Sequence, residues 1–230
     1  METGRIIRNQ KKSDLILPRV GIIKVGKKSD IGYPQSVDYF IATGKYAKLF
    51  HDSYGLKPNN IQVVFLSDNA HEVCEEVYQI RDKDGKLYAY GNGEMFEIWN
   101  GKEYQKVSIT DSPNVMESVE SRCDGKKGWE VVLILKFILP MVKGIAGYWQ
   151  FTTKGKVSTI PNIRDSFDSM LNNNGFIKGV VFDLSVEFAK SQKPNTKSRY
   201  PVVNLIANES KENKQKLENS FINFNKAIEK

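Results

Sequence analysis

Between Asp82 and Gly101 the chain carries three turn signals in close succession: Asp82-Lys83-Asp84-Gly85, Gly91-Asn92-Gly93 and Asn100-Gly101. The runs beside and between them are short and β-rich: Glu76 to Arg81, Lys86 to Tyr90, Met95 to Trp99 and Tyr104 to Ile109. Parallel strands need crossovers of a dozen residues or more, so connections this tight admit only antiparallel neighbours. The middle of the chain is therefore predicted to be a four-stranded meander.

The flanking segments add helices and further strands. Leu15 to Val25 reads as a strand, and Gly32-Tyr33-Pro34 as a turn. Thr43 is placed as the N-cap of a helix running to Tyr54, with Tyr46, Leu49, Phe50 and Tyr54 on one face and Gly55 ending it. Ile61 to Leu66 is an apolar strand, and Asp111 to Gly128 a polar loop with a short helical turn. Trp129 to Leu139 is a continuous apolar run, read as a central strand stopped by Pro140. Ala146 to Thr153 gives another strand. A helix follows with Pro161 in its first turn, a stripe of Ile163, Phe167, Met170 and Leu171, and an end at Asn172-Asn173-Asn174-Gly175. Val180 to Ala189 and Pro201 to Ala207 are the last strands.

The fold class is thus α+β, mainly antiparallel sheet with a few helices. The strand–strand–helix–strand–strand order of the second half is compatible with a ferredoxin-like unit. Residues 1–14 form a polar arm and 15–208 the α+β core, either one domain or two packed halves meeting near 111–128. Residues 209–230 form a polar tail. In it Leu217, Phe221, Phe224 and Ile228 make one narrow helical stripe, and few apolar side chains lie beyond Ala207.

Composition narrows the class of function. The net charge of +7 permits contact with phosphates or an acidic protein without requiring either. The longest apolar stretch, Val131 to Val142, is far short of the ~20 residues that span a bilayer, and the start of the chain lacks the apolar run of a signal peptide. Two cysteines, Cys74 and Cys123, are too few for a disulfide framework. The expectation is a cytoplasmic protein that contacts no membrane.

No catalytic or cofactor pattern emerges. His51, His71, Cys74 and Cys123 exhaust the soft metal ligands, and their spacing fits no zinc motif. Thr43-Gly44-Lys45 resembles the end of a phosphate loop, but Asp38 stands where that loop needs glycine. Asp82-Lys83-Asp84-Gly85 lacks the downstream glutamate of a calcium loop. The expectation is a non-enzymatic binding protein without cofactor or metal. Its candidate contacts are the basic loops: Lys27 and Lys28, Lys126 and Lys127, and Lys190, Lys193, Lys197 and Arg199. Tyr33, Tyr88, Tyr90 and Trp99 are candidate stacking faces.

Several blocks in order resemble a known family. Pro18-Arg19-Val20-Gly21-Ile22-Ile23-Lys24-Val25-Gly26 is followed by Gly32-Tyr33-Pro34-Gln35-Ser36-Val37-Asp38-Tyr39-Phe40-Ile41-Ala42-Thr43. Met95 to Gly101, Leu133 to Pro140, Gly147 to Thr153 and Ile160 to Ile163 come next. Together they span roughly 18 to 190 and resemble the phage recombination directionality factor-like family, the larger type that accompanies serine integrases. The chain lacks the cysteine-rich middle of some members, so no metal-linked stability carries over. The resemblance implies a phage or mobile-element protein that binds a serine integrase and favours excision over integration, with no enzymatic residues. Alone, such a protein is expected to touch DNA weakly and without sequence preference. The alternative is a single-stranded nucleic-acid- or RNA-binding protein with ferredoxin-like units.

Overall fold

The computed structural model describes residues 17–125, 127–191 and 198–208, together with residue 215. The expected polar arm and all of the tail except residue 215 lie outside these residues, as do Lys126, Lys193 and Lys197.

The described chain is α+β, with an eight-stranded sheet, a three-stranded sheet and four helices. The large sheet is assembled from β1 (Arg19–Lys28), β2 (Pro34–Thr43), β4 (Cys74–Arg81) and β5 (Leu87–Gly91), with β6 (Met95–Trp99), β7 (Tyr104–Ser108), β8 (Glu130–Phe137) and β9 (Tyr148–Thr153). Their order across it is β2-β1-β9-β8-β4-β5-β6-β7. The small sheet places β10 (Val181–Lys190) between β11 (Arg199–Ala207) and β3 (Asn60–Val64). The helices are α1 (Ala47–Tyr54), α2 (Ala70–Val73), α3 (Val115–Arg122) and α4 (Thr159–Asn174).

The meander is antiparallel throughout, as its turns require. Asparagine side chains fix those turns. Asn92 Oδ1 accepts the N–H groups of Glu94 and Met95, and Asn100 Oδ1 those of Lys102 and Glu103. Gly85, Gly93 and Gly101 take the positive φ that other residues rarely adopt.

Four expectations need correction. Thr43 caps no helix: it ends β2, opposite Ile22, and its hydroxyl donates to the Ile22 carbonyl. The strand Pro34–Thr43 is absent from the sequence reading because Gly32-Tyr33-Pro34 marks a hairpin tip rather than a loop before a helix. The segment 111–128 carries a true helix, α3, whose Val115 and Val119 are buried under the meander. The second half does not close as one ferredoxin-like sheet. β8 and β9 join the large sheet, and β10 and β11 pair with β3 in the small one. Pairing is mainly antiparallel, as expected; among the named strands only β1 and β9 run parallel.

Two apolar clusters result. The larger lies between the sheets and under α4, around Trp149, Phe65, Phe137, Phe151, Phe167 and Phe182. Ile163 and Phe167 of the expected stripe are fully buried, and Met170 and Leu171 pack at its rim. The smaller cluster is Ile80, Ala89, Phe96 and Ile98 beneath α3. Burial of this kind, at roughly 25 cal/mol per Å² of apolar surface, is the main force holding both layers.

Candidate functional site

Strand directions gather the basic side chains. β8 is antiparallel to both β4 and β9, and β9 is parallel to β1. The ends of β4, β9 and β1 and the start of β8 therefore all lie at one end of the large sheet. β5 starts there, β6 ends there and β7 starts there.

At this end Arg81, Asp82, Lys83, Lys127, Glu130 and Lys154 line an open groove of about 230 Å³. They come from the end of β4 and its turn into β5, the loop entering β8, and the residue just after β9. Glycine makes the convergence possible. A Cβ on Gly125 would collide with the carbonyl oxygen of Arg81, whereas one on Gly128 would meet only the far end of the flexible Glu120 side chain. Gly125 can therefore press against β4, and Lys127 lines the same groove as Arg81.

The charges in the groove are unequal. Glu130 takes both Lys154 and Lys127, the latter at 3.7 Å. The hydrogen bond from Lys154 does most to hold the Glu130 carboxyl below the usual glutamate range. Lys83 pairs with Asp124 at 3.3 Å, and that carboxyl is also lowered, first by the Lys83 backbone N–H. The Asp82 carboxylate accepts the N–H groups of Asp84 and Lys86, so it serves its own turn. Arg81 is held by neutral acceptors, the Gly85 carbonyl at 2.9 Å and Gln79 Oε1 at 3.3 Å. Among the described residues it meets no carboxylate within ion-pair distance, so its guanidinium is oriented while its charge stays uncompensated.

The β1–β2 hairpin projects from the same end. β1 pairs with β9 only through Ile23, and beyond that point β2 is its partner as far as Lys28 opposite Pro34. Lys24, Lys27 and Lys28 are exposed along it. At the tip Ile31 and Tyr33 are 81% and 69% exposed, on a turn closed by Ser29 and Tyr33. Of the basic loops picked out in the sequence, Lys27, Lys28 and Lys127 thus share one end of the sheet. Arg199 is elsewhere, opposite Lys190 at the end of the small sheet farthest from the β3 contact of β10.

Trp99 and Tyr104 also lie at the basic end, paired across β6 and β7 with ring centroids 5.3 Å apart. Tyr104 stacks edge-on against Tyr90 and donates its hydroxyl to the Leu87 carbonyl. Burial and the hydrogen bond to Glu97 push the Tyr90 hydroxyl up to about 12. These rings pack on one another, while Trp99 and Tyr104 keep over a third of their surface exposed.

A second hollow, of about 430 Å³, is lined by Cys74, Glu75, Glu76, Glu94, Asp168 and Arg164 among others. Arg164 pairs with Glu76 at 3.3 Å. The Cys74 thiol is pushed up to about 12, first by burial and then by the charges of Asp168 and Glu76. Among the described residues no three His, Cys, Asp or Glu side chains converge as metal ligands would. Nor is any described helix long and apolar enough to cross a membrane.

A family model described as Gp3-like, recombination directionality factor-like, matches residues 20–208. The chain belongs to this family. The match runs from the second residue of β1 to just past β11, so the Gp3-like unit comprises both sheets. Membership assigns this Gp3-like chain an accessory role in recombination. No curated protein and no solved structure matches it. Arg81, Lys83 and Lys154 of the groove were missed by sequence reasoning, because only the strand order β9-β8-β4 brings them to Lys127.

Proposed function

We infer that this Gp3-like chain binds a serine integrase and favours excision over integration. The supporting observation is the family match over residues 20–208. An accessory protein acts on such a reaction by population shift: it binds one arrangement of the integrase–DNA complex more tightly than the other. It can move the balance only by that difference, and a hundredfold preference is worth about 2.7 kcal/mol. The exposed hairpin tip at Ile31 and Tyr33 is an apolar feature of the kind that anchors protein contacts.

The test is recombination in vitro with the integrase of the same element, with and without this protein. Excision should be promoted, integration inhibited, and a complex recovered by size exclusion. If neither reaction changes and no complex forms, the reading is wrong.

A further inference from the structure

We propose that the groove formed by Arg81, Lys83, Lys127 and Lys154 is a phosphodiester-binding site that seats the backbone of duplex DNA. Three features of the groove carry this. First, four cations from three separate elements converge on one opening, and the acceptors already present do not use up their charge. Second, Arg81 is oriented by two neutral acceptors, which leaves guanidinium N–H groups free for a planar bidentate contact. Third, Glu130 holds two ammonium groups at once, so an incoming phosphate oxygen can take either without breaking both contacts.

The surroundings favour a backbone over a base or a peptide. Lys24, Lys27 and Lys28 extend the positive surface along a hairpin that leaves the sheet at the same end. A rail of this kind matches a duplex, which carries a charge roughly every 1.7 Å along its axis. Trp99 and Tyr104 are packed against each other and Tyr33 stands singly at the hairpin tip, so among the described residues no row of separate aromatic faces runs beside the cations as single-strand binding would use. No described helix lines the groove, and its clustered cations suit phosphate oxygens rather than base edges. Binding should be independent of sequence and steeply salt-dependent.

The site needs no integrase, so its test uses the full chain and a fluorescently labelled 25-base-pair duplex alone. Anisotropy at several salt concentrations gives both affinity and salt slope. The variant Arg81→Gln/Lys127→Gln/Lys154→Gln should lose about 10- to 100-fold in affinity at about 0.1 M salt, and its slope should fall by about two to three. Glu130→Gln frees two lysines and should bind several-fold more tightly than the wild type. A merely structural role for Glu130 would not produce that gain. Unchanged affinity and slope in the triple variant, with its thermal unfolding intact, would overturn the proposal. So would weaker binding by Glu130→Gln. Loss of integrase binding with duplex binding unchanged would assign the groove to a protein partner and equally overturn it. A single-stranded oligonucleotide bound more tightly than the duplex would overturn the choice of duplex.

Discussion

The Asp68 carboxylate accepts the backbone N–H of Ile177 at 2.7 Å, across 109 residues of sequence. The same oxygen accepts the N–H of Lys178, also at 2.7 Å. One side chain after β3 thereby fixes the loop that delivers β10 to the small sheet. Ile177 is fully buried, so its N–H has little access to water as a substitute.

Replacing that carboxylate should loosen the small sheet. Asp68→Ala leaves the Ile177 N–H unsatisfied and should cost about 2–3 kcal/mol, as expected for charge-assisted bonds. Asp68→Asn keeps an acceptor and should cost about half as much. Urea denaturation of the three proteins checks both values, and an alanine variant as stable as the wild type would refute the role.

Gly21 faces Trp149 across the parallel β1–β9 pair. A Cβ at position 21 would lie 2.6 Å from Cε3 of that ring, which is itself almost wholly buried. The ring is wedged against Phe50 and cannot swing aside freely. Gly21→Ala should therefore destabilise by about 1–3 kcal/mol through overpacking. Pairing it with Trp149→Phe, which makes room, should recover part of the loss. Thermal unfolding of both proteins reads this out.

The two thiols should differ sharply. With the Cys74 thiol pushed up to about 12, its thiolate fraction at pH 8 is on the order of one in ten thousand, and burial blocks access as well. Cys123 lies near the surface at the end of α3. Iodoacetamide at pH 8 should label Cys123 in the native protein and Cys74 only after denaturation. Peptide mass spectrometry distinguishes the two.

The Glu130 pair carries a definite pH signature. The folded carboxyl lies below the ordinary value of 4.5, so the contribution of Lys154 and Lys127 is fully present above 4.5. It is lost as the pH falls through the depressed folded value. Wild type and Glu130→Gln should therefore differ in stability at pH 7 and converge well below pH 4.5. Parallel denaturation curves across that window check it, and a gap that persists in acid would contradict it.

What the sequence shows depends on how local the cause is. β6 is legible to the residue because Asn92 and Asn100 close the turns on either side with their own side chains. Gly175, in the left-handed conformation, likewise marks the end of α4. β2 is not legible: its pairing with β1 depends on a hairpin tip, and Thr43 suits a strand end as well as a cap. The site divides in the same way. Lys27, Lys28 and Lys127 stand out because they belong to basic doublets, the first of which proves to end a strand. Arg81 and Lys154 look like ordinary strand-end charges until the neighbours of β8 are known.

The parallel pairing of β1 with β9 also sets an order on assembly during synthesis. Arg19 bonds Gln150, 131 residues later, so the N-terminal hairpin has no seat in the sheet until the ribosome has released β9. The β4–β7 meander with α3 involves only near neighbours and can condense earlier. Throughout that interval β1 presents an open, apolar edge to other nascent chains. Polypeptides stopped before Tyr148 would retain that edge permanently, and they are the species from which aggregates should grow.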